Sequence, residues 1–145
     1  MTVQLMHSQV PPDSEPRYGQ VLVVEDERPL RTVIARNLSS RGIQVREAAT
    51  ADEALRALKD AVPDLLLLDI NLPDRTGWDV LREMARQHLE VPTIVVSAVR
   101  VSQSRLDEFK PMAYLPKPFP IDALLRLVLV GRRSEADPAE SPSLP

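Results

Sequence analysis

Five short runs of β-type apolar residues, separated by amphipathic stretches, constrain this chain more than any other feature of it. The runs are Val21 to Val24, Ile43 to Arg46, Leu65 to Leu68, Thr93 to Val96 and Met112 to Leu115. The first, third and fourth are nearly continuous in Val, Ile and Leu, as strands are when helices cover both of their faces. Alternation of such strands with helical periodicity predicts an α/β fold: a doubly wound, five-stranded parallel sheet with flanking helices.

The intervening stretches carry their own start and stop signals. Pro29 suits a first helical turn, Leu30, Val33, Ile34 and Leu38 form one apolar stripe, and Gly42 closes the element. Thr50-Ala51-Asp52-Glu53 has capping-box spacing, which predicts a second helix from Ala51 to about Ala61, with Pro63 beyond it. A third helix is expected from about Gly77 to Gln87, and a fifth from Ile121 to Val130, stopped by Gly131. The fourth candidate, about Gln103 to Phe109, has only Leu106 and Phe109 as clear anchors and is followed by Pro111. It is expected to be short or irregular.

Composition bounds the function classes. The chain has 145 residues, 43% hydrophobic and 27% charged, with a net charge of -3. That suits one ordinary domain and gives no strong field for nucleic acid, so no direct nucleic-acid binding is expected. The absence of cysteine removes disulfides and thiolate metal sites, so any metal must be held by oxygen or histidine. The apolar runs are far shorter than the roughly 20 residues that span a bilayer. The start has neither the basic nor the apolar region of a signal peptide, and a cytoplasmic location without membrane attachment is expected. Residues 1–19, with Pro11, Pro12 and Pro16, read as a loose arm, 20–131 as the domain, and 132–145 as a tail or linker.

In an open parallel sheet, ligands gather at the carboxyl ends of the strands. There the sequence places Glu25 and Asp26 after the first strand, Asp69 after the third, Ser97 after the fourth and Lys117 after the fifth. Three converging carboxylates repel one another unless a cation joins them, and hard oxygen ligands favour Mg²⁺. With such a cation present, Asp69 can act as a nucleophile toward phosphorus while Lys117 and the Ser97 hydroxyl neutralise phosphoryl oxygens. Singly, each residue has a plainer reading: a solvated acidic loop, a turn residue, a polar strand end, a surface cation. Joint placement at successive strand ends favours the site. Trp78 reads as a packing residue of the third helix, and His7 and His88 as surface residues.

The segments VLVVEDE (21–27), LLLLDINLPDRTGWDVL (65–81), IVVSA (94–98) and YLPKPF (114–119) resemble the receiver domain of two-component response regulators. The resemblance covers the whole predicted fold and implies the flavodoxin-like (βα)5 arrangement. It implies that Glu25 and Asp26 are the acidic pair, Asp69 the phosphoacceptor and Asn71 the donor of a backbone carbonyl to Mg²⁺. Ser97 would be the switch hydroxyl, Tyr114 the aromatic switch residue, Ala98 the small residue leaving it room, and Lys117 the ammonium before a cis-linked Pro118. The implied partners are a sensor histidine kinase or phosphotransfer protein, and a downstream protein or a second copy of the chain. The domain is then a phosphoacceptor with slow self-hydrolysis at most, not an enzyme in the usual sense.

Two departures stand out. Glu25 lies where aspartate is commoner, and the stretch from Ser97 to Lys117 is about two residues shorter than usual, with Lys110-Pro111 where Gly-Ala is common. The second departure falls on the face through which receivers are usually read. It favours, as an alternative function, an interaction module working independently of phosphorylation. A phosphoesterase with an aspartyl nucleophile is disfavoured, because that class wants an acid at position 71 and the residue is Asn.

Overall fold

The computed structural model describes residues 18–136, with side chains to 129. In chain order it contains β1 (Gln20–Val24), α1 (Arg28–Ser39), β2 (Gln44–Ala48), α2 (Ala51–Asp60), β3 (Leu65–Asp69), α3 (Gly77–Arg86), β4 (Thr93–Ser97), α4 (Gln103–Phe109), β5 (Ala113–Pro116) and α5 (Ile121–Ala136). The strands form one sheet in the order β2-β1-β3-β4-β5, and every neighbouring pair is parallel. The expected α/β fold is therefore the observed one.

The two faces of the sheet bury separate cores. Val21, Val23, Leu65, Leu67 and Ile94 face α1 and α5, meeting Ile34, Leu38, Leu124 and Val128. Leu22, Val24, Leu66 and Leu68 face the other way, toward Ala54 and Leu58 of α2 and Val80 and Met84 of α3. Alternate side chains of β1 and β3 thus enter opposite cores, which is why Val21 to Val24 and Leu65 to Leu68 are apolar without interruption before Glu25 and Asp69.

Helix boundaries follow local chemistry. Thr50 caps α2 by accepting from the Glu53 amide, but Glu53 returns its bond to the Ala49 amide, one residue before the expected partner. Thr76 and Asp79 form a full capping box on α3. Gly42, at φ 85, makes the turn after α1 that a Cβ would oppose.

Two boundaries differ from expectation. Tyr18 is 3% exposed and belongs to the α1/α5 core, so the domain begins within the stretch expected to be a loose arm. At the other end, α5 continues through Gly131 to Ala136. One glycine costs a helix only about 1 kcal/mol, and the Arg132, Arg133, Glu135 and Ala136 that follow are sound helix formers. Residues 132–136 are therefore helix, not tail; the rest of the expected arm, His7 and the rest of the tail lie outside the described residues. Among the described residues no helix is long and apolar enough to cross a membrane.

The short fourth helix is borne out. It has seven residues, none of them buried, and ends at Lys110 in the left-handed region. Phe109 stacks on Trp78 at 5.1 Å between ring centres, while Arg105 lies over Trp78 and Arg82 over Phe109. A layer of rings and guanidinium groups, rather than an inserted apolar stripe, seats α4 against α3.

Candidate functional site

The carboxyl ends of β1, β3, β4 and β5 carry a buried polar cluster. Glu25 and Asp69 are each 2% exposed, as is Ser97, all far below the usual exposure of such residues. Asp26 stands beside them on the exposed loop. Arg31 fixes that loop by donating to the Glu25 backbone carbonyl at 2.7 Å.

Lys117 ties the cluster together. Its Nζ donates to Glu25 Oε2 at 3.0 Å, to Asp69 Oδ2 at 3.2 Å and to Glu27 Oε1 at 3.2 Å. The peptide bond to Pro118 is cis. One ammonium therefore serves three carboxylates, two of them buried. Burial pushes the Glu25 carboxyl up to about 7; the Asp69 charge adds to this, and the Glu27 amide and Lys117 oppose it. Burial likewise raises Asp69, against the opposing pull of the Asn71 amide and Lys117. Burial alone would lower Lys117, but its carboxylate neighbours outweigh it and hold the ammonium above its ordinary value.

Both raised carboxyls lead to the same pH behaviour. The folded, metal-free protein binds protons more tightly than the unfolded chain, so their contribution to stability is full below the ordinary carboxyl range. It is lost as pH rises toward about 7 for Glu25. In chelator, these two groups are expected to lower the melting temperature between pH 4.5 and 7.5, and Mg²⁺ added at pH 7.5 is expected to raise it again. Calorimetry with and without Mg²⁺ checks both signs.

The donor set suits a hard divalent cation. One carboxylate oxygen from each of Glu25, Asp26 and Asp69 lies within 4.8 Å of the others, and an all-oxygen set is what Mg²⁺ prefers. Glu25, despite its extra methylene, reaches this group. Asn71 follows directly, its amide bonded to Asp69 Oδ1 at 3.0 Å.

The remaining sequence candidates fall around this centre. The Ser97 hydroxyl is engaged by its own loop: it donates to the Val99 carbonyl at 2.7 Å and accepts from the Val99 amide at 3.0 Å. Asn71 Oδ1 offers a second acceptor at 3.3 Å. Ala98 lines the crevice with Asn71, Lys117 and Phe119. Tyr114 is half-buried against Ile70, Trp78 and Val95 and is not among the residues that line the crevice. Trp78 packs as expected, and His88 is an exposed turn residue at φ 57. A larger groove, lined by Leu81, Met84, Phe109 and Met112 among others, lies at the opposite ends of β4 and β5 and brings no comparable cluster together.

Sequence reasoning missed Glu27 as the third acceptor of Lys117 and Arg31 as the clamp on the acidic loop. The only sequence signal for the first was the acidic triplet 25–27. Nothing in the spacing announced the second.

The loop between Asp69 and α3 is tightly folded. The Gly77 amide donates to the Ile70 carbonyl at 2.8 Å, and Asn71 pairs with Thr76 across it. A Cβ at Gly77 would lie 2.7 Å from the Asp69 carbonyl oxygen and 3.0 Å from Ile70 Cα, contacts that only backbone movement relieves. Gly77→Ala is expected to destabilise the protein by about 2 kcal/mol, read as a lower urea midpoint at unchanged slope. An unshifted midpoint would show the loop to be loosely seated.

The response regulator receiver domain model matches residues 21–129. The chain is 40% identical over 119 residues to the transcriptional regulatory protein KdpE of Mycobacterium tuberculosis, covering 80% of this chain and 52% of that protein. It is 35% identical over 112 residues to the DNA-binding transcriptional regulator NtrC of Proteus hauseri, covering 76% of this chain and 24% of that one. The chain thus spans a quarter to half the length of these relatives. Among solved structures, the response regulator TrrA of Thermotoga maritima in complex with Mg(2+)-BeF superposes with a TM-score of 0.66 at 28% identity, covering 75% of this chain and 95% of that one. A CheY-like receiver domain protein from Methanospirillum hungatei gives 0.70 at 25% identity, with coverage of 84% and 98%. By sequence and by fold, the chain belongs to the response regulator receiver domain family.

Proposed function

We propose that the chain accepts a phosphoryl group on Asp69 in a Mg²⁺-dependent reaction, with a sensor histidine kinase or phosphotransfer protein as donor. The observation that carries this reading is the cluster itself: three carboxylate oxygens within 4.8 Å of one another, with Lys117 Nζ bridging buried Glu25 and Asp69. Its location at the carboxyl ends of a parallel sheet is where ligands of this architecture bind.

Glu25, Asp26, Asp69 and the Asn71 backbone carbonyl are the residues that would hold Mg²⁺. When bound, the ion supplies charge neutralisation to the phosphoryl oxygens and relieves repulsion among the carboxylates. An Asp69 carboxylate oxygen attacks phosphorus, the bond to the donor nitrogen breaks, and the nitrogen leaves with the electron pair. Lys117 transfers a hydrogen bond from Asp69 to a phosphoryl oxygen. The Ser97 hydroxyl gives up its bond to Val99 and turns toward the phosphoryl group. Tyr114 then moves into the space beside Ala98, shifting the balance between two conformations. A downstream protein, or a second copy of the chain, reads that shift. KdpE and NtrC are named as transcriptional regulators, which makes a regulator of transcription the natural setting, in the cytoplasm.

The test is incubation with Mg²⁺ and a small phosphodonor such as acetyl phosphate. A mass increase of one phosphoryl group, abolished by chelator, is expected; no increase at saturating Mg²⁺ would refute the reading. A second reading, an interaction module that works without phosphorylation, draws on the seven-residue α4 with no buried residue. It gains if Asp69→Ala leaves partner binding unchanged.

A further inference from the structure

Asp74 lies on the loop that follows the phosphoacceptor, and as a sequence feature it reads only as part of the turn Leu72-Pro73-Asp74. Its carboxylate does more than turn the chain. Oδ1 accepts from the Ala51 amide at 2.9 Å and Oδ2 from the Asp52 amide at 3.0 Å. These are the first two backbone donors of α2, which the helix itself cannot satisfy. Thr50 takes the third, the Glu53 amide, at 3.0 Å. A carboxylate at a helix N-terminus is favoured by the helix dipole and by two charge-assisted bonds. Those amides hold the Asp74 carboxyl below its ordinary value.

The tether has a second strand. Arg75 donates from Nη2 to Asp52 Oδ1 at 2.6 Å, so consecutive residues of the loop grip the first turn of α2 in opposite charge senses. Inside the loop, the Asn71–Thr76 bridge and the Gly77 to Ile70 bond leave little slack. Asn71 is three residues from Asp74 and directly follows the Asp69 and Ile70 pair. Asn71, Leu72 and Pro73 are therefore strung between two fixed points, the buried Asp69 and the α2 N-terminus.

We infer that Asp74 is a positioning residue for the cation site: by docking the loop on α2 it fixes where the Asn71 backbone carbonyl stands relative to the Glu25, Asp26 and Asp69 carboxylates. The inference rests on the Mg²⁺-dependent reading above. Asp74 touches neither cation nor phosphoryl group. It acts on how much ordering the Asn71 carbonyl must undergo when the ion binds, and hence on affinity rather than on the transfer step.

The experiment compares the wild-type chain with Asp74→Ala and Asp74→Asn. Mg²⁺ is titrated while the fluorescence of Trp78, the single tryptophan of the chain, is followed, and calorimetric titration with Mg²⁺ alone provides a second readout. Phosphorylation by acetyl phosphate is then measured against Mg²⁺ concentration. Asp74→Ala is expected to weaken Mg²⁺ by on the order of tenfold, the low end for groups that orient metal ligands. Asp74→Asn, which keeps one acceptor, is expected to fall between. The rate at saturating Mg²⁺ is expected to stay at the wild-type value in both, so that only the half-saturating concentration moves.

A purely structural role would move that concentration only by the inverse of the folded fraction, which circular dichroism of each metal-free variant reports directly. Wild-type half-saturation in folded Asp74→Ala would overturn the inference and leave the phosphoacceptor reading standing. A wild-type chain that neither binds Mg²⁺ nor gains a phosphoryl group would remove both.

Discussion

Asp69→Ala is expected to abolish phosphoryl uptake from both a small phosphodonor and a phosphohistidine protein, to below one part in a thousand of the wild-type rate. The reasoning is chemical. Asp69 is a buried carboxylate that lines the crevice, and removing the nucleophile removes the atom that bonds to phosphorus. The same substitution is expected to leave the metal-free fold as stable as the wild type or more so. It removes one of two carboxyls whose burial costs free energy when they are ionised. Mass spectrometry of the intact chain and thermal melting in chelator read the two effects. Residual phosphorylation near the wild-type rate would assign the acceptor elsewhere.

Lys117→Met is expected to damage both chemistry and fold. The Lys117 side chain is 13% exposed and those of Glu25 and Asp69 are 3% and 2%, so their interactions are poorly screened. Removing the ammonium while leaving both carboxylates in place strands buried charge, a change that typically costs about 3 kcal/mol or more. The methionine stem replaces most of the lost volume, so little of the effect comes from packing. The loss is expected to grow as pH rises through about 7, the value to which burial raises Glu25, and to shrink toward pH 5, where protonation of that carboxyl removes the repulsion. Lys117 does not itself titrate in that window, since its carboxylate neighbours hold it above its ordinary value. Urea unfolding of the two proteins at pH 5 and pH 8 tests the sign. A cost larger at pH 5 would contradict the electrostatic account. In the presence of Mg²⁺ the variant is expected to refold much of its lost stability but to accumulate little aspartyl phosphate, because the ion relieves the carboxylates while the phosphoryl oxygens lack their cationic partner.

The sheet was legible because its central strands leave no alternative. Val21 to Val24 and Leu65 to Leu68 are apolar on both faces, and only a strand covered by helices on each side buries all eight. Once those strands are placed, Glu25 and Asp69 must fall at their carboxyl ends, so the acidic centre follows from counting. The parts that were not legible depend on side chains reaching out of their own element. Arg31 reaching the Glu25 carbonyl, Glu27 reaching Lys117 and Asp74 reaching the start of α2 span separations from 6 to 90 residues. No periodicity encodes them.

The ends of the domain failed for a different reason. Gly131 and the proline-bearing N-terminal stretch signal boundaries by local propensity, whereas α5 runs through its glycine and Tyr18 is held by burial in a core built from distant elements. Tertiary packing outweighs a local preference of about 1 kcal/mol. The fourth helix is the converse case. Its weak periodicity was a true report of how it is held, by Phe109 on Trp78 and two guanidinium groups rather than by a buried stripe.

The claim at the centre of this account is that a phosphoryl group resides on Asp69 and nowhere else. An aspartyl phosphate is reduced by borohydride to the corresponding alcohol, whereas a free carboxylate is not. The chain is phosphorylated with acetyl phosphate and Mg²⁺, reduced, digested and mapped by tandem mass spectrometry, with a chelator control alongside. The reduced side chain is expected at position 69 in the Mg²⁺ sample and is expected to be absent from the control. Reduction at Glu25, Asp26 or any other carboxylate, or none at all despite bound Mg²⁺, would contradict it.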